Sequence, residues 1–164
     1  NLMPKDVPAT KIPLPHRPPS LCPGCPHRST YYAAKKALKQ NFKDAIFSSD
    51  IGCYTLGIQE PMKVADFLLC MGSSVDAAGG FAKATNQPVF AYIGDSTFFH
   101  SGMPGLVNAV YNRHKFVFTI LDNRTTAMTG HQPNPGMGID GRGEPAPMIS
   151  ISLPATRARG AGHR

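Results

Sequence analysis

Short apolar runs that alternate with helical patterns organise the first three quarters of the chain. Runs at residues 45–49 (AIFSS), 88–93 (PVFAYI) and 116–121 (FVFTIL) have the length of single strands. Continuous apolar runs of this length are typical of strands that are covered on both faces. A further run at 65–72 (ADFLLCMG) predicts a short strand that ends near Cys70, whose thiol is expected in the core.

Helical patterns occupy the segments between these runs. Residues 30–40 form an amphipathic segment that Ser29 can cap, and residues 73–85 form a segment of small side chains. Residues 103–114 predict another helix, with Pro104 tolerated in its first turn. The alternation of strand and helix predicts an α/β fold with an open, mostly parallel sheet and helices on both faces.

Composition divides the chain into three parts. Residues 1–20 are rich in proline and predict an extended linker or arm, whereas residues 21–151 predict the folded domain. Beyond Asn123 this domain continues as a long Gly- and Pro-rich loop. Residues 152–164 have no apolar face and predict a disordered or aberrant tail, so we expect a C-terminally incomplete fold.

Charge and targeting signals restrict the classes of function. The 164 residues carry a net charge of +7, which suits an anionic ligand or an acidic protein partner. The Lys and Arg residues are scattered, so nucleic-acid binding is not expected. An apolar signal-peptide core and a membrane-length run are both missing, so we expect a cytoplasmic protein that does not enter a membrane. In that setting the four cysteines favour metal or redox use over disulfides.

Polar residues follow two of the predicted strands at the point where each ends. The strand at 88–93 runs into Gly94 and Asp95, and the strand at 116–121 runs into Asp122 and Asn123. A right-handed crossover makes such strands parallel neighbours, so Asp95 and Asn123 should face one crevice.

The oxygen atoms at this crevice suit a magnesium ion. A carboxylate, an amide oxygen and a main-chain carbonyl, for which Thr125 is the candidate, are hard ligands that Mg²⁺ shares with phosphate groups. Gly94 would allow a diphosphate to approach the backbone, and the N-terminus of the following helix would add amide donors. Taken alone, an Asp after Gly at a strand end is more often an Asx turn or a helix cap; the pairing of Asp95 with Asn123 favours a binding site.

The same residues resemble a known motif. GDS at 94–96, followed by DN at 122–123, resembles the motif of thiamine-diphosphate enzymes that begins GDG and ends NN. This sequence departs from that motif at Ser96 and Asp122. The resemblance implies that Gly94, Asp95 and Ser96 contribute to cofactor binding, and that Mg²⁺ is held by Asp95, Asn123 and the main-chain carbonyl of Thr125.

Longer segments narrow the resemblance. CPGCPHR, SDIGCYTLG and GDSTFFHSG…DNRTTAMTGHQ are similar to the large subunit of indolepyruvate:ferredoxin oxidoreductases, over about residues 14–151. The resemblance implies oxidative decarboxylation of an arylpyruvate to an acyl-CoA, with ferredoxin as electron acceptor and a second subunit as partner. Because the chain does not begin with Met, we expect it to be part of a longer protein.

Three cysteines belong to the similar segments. Cys22, Cys25 and Cys53 resemble three ligands of a [4Fe–4S] cluster, which normally takes four thiolates. The fourth ligand is not evident in this chain. Alternatively, CPGC only shapes a loop beside the diphosphate, and both interpretations stay open.

Four further residues are weaker candidates for the site. His27 and Arg28 follow CPGC and are candidates for contacts to the diphosphate or to the substrate carboxylate. His27, His100, shortly after Asp95, and His131, in the long loop, are the candidate catalytic residues. Each of the four has a plain alternative as a surface or packing residue.

Thiamine enzymes also need a glutamate that assists cofactor activation. The two glutamates, Glu60 and Glu144, both lie in predicted loops, so we do not expect this chain alone to turn over substrate. Two other functions remain open: a thiamine-dependent decarboxylase or synthase that does not use ferredoxin, and a non-catalytic iron–sulfur module for electron transfer.

Overall fold

The computed structural model describes Pro13 and residues 15–41 and 44–152. Most of the predicted arm and all but the first residue of the predicted tail lie outside the described residues, so the predicted domain boundaries stay predictions.

Three parallel strands form the sheet. They are β1 (Ile46–Ser48), β2 (Val89–Gly94) and β3 (Val117–Leu121), in the spatial order β1-β2-β3. In the register of the sheet, Ser48 is paired with Ala91 and Gly94 with Leu121. The prediction of an open parallel α/β sheet is confirmed, and β2 and β3 are neighbours as the crossover rule requires.

Helical segments connect the strands. Helix α1 spans Pro26–Asn41 and α2 spans Ser73–Ala84. After β2 the chain is helical without a break, through α3 (Asp95–Thr97), a π-helical turn (Phe98–Gly102) and α4 (Met103–Tyr111).

Two predicted helix starts are wrong. Helix α1 begins at Pro26 rather than after Ser29, because proline favours the first turn, where its missing N–H costs no hydrogen bond. The helical region after β2 begins at Asp95, about eight residues before Met103. The amide donors of its N-terminus therefore belong to Asp95 and its immediate neighbours.

Side chains of β2 alternate between two cores, one on each face of the sheet. Phe90 and Tyr92 pack with Tyr31 of α1. On the opposite face, Ile93 packs with Val75 of α2, and Val89 and Ala91 pack with other residues of the same helix. Helices therefore cover both faces of the sheet, as the apolar runs predict. Residues 91–94 of β2 are all buried.

The prediction of a strand at 65–72 is wrong. Only Phe67 makes a bridge, to Ser48, and the amide of Phe47 donates to the Asp66 carboxylate at 2.8 Å instead of to a strand carbonyl. The N–H of Phe67 donates to the Phe47 carbonyl and the Ser49 N–H donates to the Phe67 carbonyl, so the segment pairs with β1 at one position and then leaves the sheet. Cys70 is consequently exposed rather than part of the core.

Within the described residues, no helix combines the length and the apolar character needed to cross a membrane.

Candidate functional site

The carboxyl ends of β2 and β3 open into one cavity. Because Gly94 is paired with Leu121, the residues that follow each strand come together at the same edge of the sheet. The cavity is open to solvent. Of the predicted site residues, it is lined by His27, Cys53, Gly94, Asp95, Ser96, Asn123 and Thr125.

Asp95 is the buried carboxylate of this cavity. It is the first residue of α3, and only 3% of its surface is exposed. Its Oδ2 accepts a hydrogen bond of 2.8 Å from Nδ2 of Asn134. Burial raises the pKa of Asp95, whereas the hydrogen bonds from Asn134 and from the amide of Ser96 act in the opposite direction.

Asn123 and Thr125 lie on the opposite side of the cavity. Asn123 is exposed, and its Oδ1 accepts the N–H of Thr125 at 3.2 Å in an Asx turn. An amide oxygen has two lone pairs, so this turn leaves one of them for a ligand. The Thr125 hydroxyl is buried and has no hydrogen-bond partner within the part of the chain that the structure describes.

Ser96 fastens the two sides of the cavity together. The hydroxyl of Thr126 donates to the Ser96 hydroxyl at 2.8 Å, so the loop after β3 is tied to the first turn of α3. A glycine at position 96, as in the related motif, would not provide this contact.

Gly94 has a packing role that the sequence did not reveal. Its backbone is extended (φ −79°, ψ 159°), a conformation that any residue adopts. A Cβ at this position would lie 2.6 Å from Cε1 of Tyr54. Tyr54 is held by its own hydroxyl, which donates to the Ile51 carbonyl at 2.9 Å, and by Tyr31, whose hydroxyl donates to the Tyr54 carbonyl at 2.8 Å. Gly94 therefore makes room for a fixed tyrosine ring at the edge of the cavity.

His27 is a buried neutral histidine beside the same ring. It is 5% exposed, and its imidazole meets Tyr54 edge-on with 6.1 Å between ring centroids. Burial lowers the pKa of His27, and the charge of Asp95 only partly opposes this effect. At neutral pH the imidazole is therefore uncharged, with one ring nitrogen that can donate a hydrogen bond and one that can accept it.

Three of the weaker candidates do not line the cavity. Arg28 directs its guanidinium to the carbonyl of Leu21. His100 is exposed on the π-helical turn, which carries it away from Asp95. His131 is exposed in the long loop, with a left-handed backbone (φ 60°).

Three cysteines surround an adjoining cavity. Cys22, Cys25 and Cys53 line it together, and it shares His27 and Asn123 with the first cavity. The Pro-Gly pair turns the chain so that the Cys25 N–H donates to the Cys22 carbonyl at 3.1 Å, with Gly24 at φ +72°. Burial, and then the neighbouring thiols, raise the pKa of Cys53. Even so, no three His, Cys, Asp or Glu residues among those described are arranged to hold a single metal ion.

Two buried polar residues at this edge of the sheet escaped sequence reasoning. Asp50 accepts the N–H groups of Gly72 (2.8 Å) and Ser74 (3.0 Å), and so ties the end of β1 to the start of α2. Asn134 contacts Asp95, 39 positions earlier in the chain. The flanking prolines of Pro-Asn-Pro-Gly were the available signal for Asn134, because they restrict the backbone on both sides.

Comparison with known proteins agrees with this geometry. Residues 50–153 match the family described as "Thiamine pyrophosphate enzyme, C-terminal TPP binding domain". The structure resembles that of a 2-oxoglutarate:ferredoxin oxidoreductase from Magnetococcus marinus, with a TM-score of 0.70 and 21% identity over 87% of this chain and 52% of that one. At this level of identity the likeness supports the fold.

Curated relatives share more of the sequence. The chain is 60% identical to the indolepyruvate oxidoreductase subunit IorA of Methanothermobacter marburgensis over 150 residues, which is 90% of this chain and 24% of the relative. It is 53% identical to the IorA subunit of Archaeoglobus fulgidus, over 84% of this chain and 22% of that relative. The chain thus spans about a quarter of the length of these relatives. It belongs to the thiamine pyrophosphate enzyme family, as a C-terminal TPP-binding domain similar to that of IorA subunits.

Proposed function

We propose that this domain binds thiamine diphosphate together with Mg²⁺ at the carboxyl ends of β2 and β3. The Asp95 carboxylate, the Asn123 amide oxygen and the main-chain carbonyl of Thr125 would hold the metal. The observation that carries this proposal is that these three residues, from two paired strands, line the same cavity.

The residues present fit such a ligand. The donor set consists of hard oxygen atoms, which Mg²⁺ prefers and shares with phosphate groups. The N-terminal amides of α3 and the unpartnered Thr125 hydroxyl would serve the diphosphate oxygens. Once bound, the thiazolium ring supplies the carbanion chemistry, and the protein supplies position and electrostatics.

We further propose that the whole protein oxidises a 2-oxoacid of the arylpyruvate class. The bond to the carboxyl carbon would break with release of CO₂, a thioester with coenzyme A would form, and two electrons would pass to ferredoxin. Support comes from the relatives named indolepyruvate oxidoreductase and from the net charge of +7, which suits anionic ligands and an acidic electron carrier. A second subunit and the activating glutamate would come from outside this chain.

The cysteine-lined cavity supports an iron–sulfur cluster in the same enzyme. Cys22, Cys25 and Cys53 would be three of its ligands, with the fourth supplied elsewhere. This placement favours the oxidoreductase over a thiamine-dependent decarboxylase or synthase, which needs no electron acceptor. The oxygen donors at Asp95 and Asn123 in turn favour an enzyme over a pure electron-transfer module.

Calorimetry of the whole protein with thiamine diphosphate, with and without Mg²⁺, tests the proposal. Asp95→Ala is expected to weaken Mg²⁺-dependent binding by about 100-fold or more, because it removes a metal ligand. Asp44→Ala, at an exposed position, is the matched control and should bind like the parent. Equal binding by Asp95→Ala and the parent would refute the proposed site.

A further inference from the structure

One oxygen of the Asp95 carboxylate is already engaged inside the protein. Oδ2 accepts a hydrogen bond from Asn134 at 2.8 Å, and both side chains are buried, with exposed fractions of 3% and 5%. The proposed metal role of Asp95 does not account for this partner, which comes from the long loop after β3.

Asn134 is itself firmly held. Its Oδ1 accepts the N–H of Gly136 at 2.9 Å, and its main-chain carbonyl accepts the N–H of Met137 at 3.0 Å. Pro133 and Pro135 restrict the backbone on either side, and the Pro135 carbonyl accepts the N–H of Ile149 at 2.9 Å.

Glycine at position 136 is part of this arrangement. A Cβ there would lie 3.2 Å from the Asn134 side-chain oxygen, closer than almost all real contacts of this kind. Glycine therefore lets the amide of position 136 reach Asn134 without displacing the Asn134 side chain.

These contacts fix which end of the Asn134 amide faces Asp95. A backbone N–H can only donate, so the amide oxygen must face Gly136. The amide nitrogen then faces Asp95, where an ionised carboxylate can only accept. Both ends of the amide are satisfied in one orientation only, and the plane of the Asp95 carboxylate is set by a rigid donor.

A carboxylate that is held in this way presents its two oxygens unequally. Oδ2 is directed at Asn134, which leaves Oδ1 as the oxygen without that contact. A metal that binds both oxygens would have to share Oδ2 with the Asn134 donor, which would weaken that hydrogen bond.

We infer that Asn134 is a positioning residue that disfavours a second metal–oxygen contact at Asp95 and thereby favours Mg²⁺ over Ca²⁺. Ca²⁺ accepts six to eight oxygens at longer distances and often binds both oxygens of a carboxylate, whereas Mg²⁺ requires a compact octahedron of single oxygens. This inference rests on the proposed function, because it concerns the same metal ligand.

The experiment compares the two metals in the whole protein. Thiamine diphosphate is supplied in excess, Mg²⁺ and Ca²⁺ are titrated separately by calorimetry, and the ratio of the two dissociation constants is recorded. Asn134→Leu removes the donor, and the preference for Mg²⁺ is expected to fall by about tenfold or more. Asn112→Leu, at an exposed position of the turn after α4, is the matched control and should leave the ratio unchanged.

A second variant separates positioning from folding. Asn134→Ala removes the donor to Asp95 without adding a charge or a bulky side chain. It should lower the preference for Mg²⁺ in the same direction, with circular dichroism confirming the parent fold. An unchanged ratio in the folded Ala variant would overturn the inference alone. A parent protein that binds no thiamine diphosphate with either metal would overturn the proposed function and this inference together.

Discussion

Asp95 and Asn123 follow neighbouring strands but lie in opposite environments. Asp95 is almost completely buried, and its carboxylate is held by Asn134, whereas Asn123 is exposed and makes only a local turn with Thr125. Substitution of Asp95 therefore disturbs both packing and chemistry. Asn123 offers the cleaner test, because its side chain contributes little to the core.

We predict that Asn123→Leu strongly weakens Mg²⁺-dependent binding of thiamine diphosphate and leaves the fold intact. Exposed substitutions usually change the free energy of unfolding by no more than about 0.5 kcal/mol. Binding is measured by calorimetry, and stability by thermal unfolding without cofactor. Asn86→Leu, also exposed, is the control. Loss of the fold in Asn123→Leu would instead make Asn123 a structural residue.

His27 makes the stability of the domain depend on pH. Burial lowers its pKa below the usual 6.5, so the unfolded chain takes up a proton at pH values where the folded chain does not. The free energy of unfolding is therefore expected to fall as the pH is lowered through 6.5 toward the folded pKa, by at most about 1.4 kcal/mol per pH unit.

Chemical denaturation between pH 5 and 7.5, without metal or cofactor, measures this effect. His27→Gln should flatten the dependence on pH, because it removes the titrating group. His100→Gln, which changes an exposed histidine, should keep the slope of the parent. A slope that is identical in the parent and in His27→Gln would rule out this role.

Residue types and their spacing in the sequence predict some residues of this site but not others. Asp95 and Asn123 follow apolar runs directly, so the sequence places both at strand ends. Asn134 contacts Asp95 through the folding of a long loop that has no periodic pattern; its flanking prolines indicate a restricted backbone but not the contact partner. His100 and His131 are candidates only because histidine is a common catalytic residue, and both are exposed to solvent in the structure.

At the scale of elements, β2 and its neighbours set the shape of the site. The chain passes directly from β2 into α3: Gly94 is the last residue of the strand, and Asp95 is the first residue of the helix. The predicted helix started later because residues 95–102 lack a regular amphipathic pattern. Their helical structure contains a π-helical turn, which the usual spacing rules for an α-helix do not describe.

Gly94→Ala is expected to destabilise the domain by about 1–3 kcal/mol, because the added Cβ would clash with the Tyr54 ring. Gly80→Ala is the matched control. Position 80 lies in α2, and a Cβ there meets nothing within 4 Å, so alanine should stabilise the helix by up to about 1 kcal/mol. Urea denaturation distinguishes the two. Equal stability of Gly94→Ala and the parent would show that the ring can move aside.

At the scale of the whole molecule, the sequence predicted the architecture well. Buried parallel strands have continuous apolar runs, and the crossover rule leaves few arrangements for three of them. The segment at 65–72 also has an apolar run but pairs with β1 at one position and then leaves the sheet. Apolar composition alone does not distinguish these two cases.

The arrangement of the cysteines has a consequence for the whole protein that metal analysis can measure. If Cys22, Cys25 and Cys53 hold a cubane cluster, Cys22→Ser should reduce the iron content by about four atoms per chain, with a matching loss of acid-labile sulfide. Cys70→Ser, at an exposed position outside both cavities, should leave the iron content unchanged. Iron content that is the same in Cys22→Ser and the parent would exclude Cys22 as a ligand.

The π-helical turn at Phe98–Gly102 sets the rotation of α4 relative to the start of α3. Each residue of an α-helix advances about 100° around the axis, so the wider turn rotates everything that follows it. Asp95 points into the cavity before the turn, while Leu106 packs into the apolar core after it. Removing one residue from this segment would rotate α4 relative to Asp95, so the Asp95 carboxylate would leave the cavity or Leu106 would leave the core. The length of the segment is therefore constrained even where its side chains face solvent.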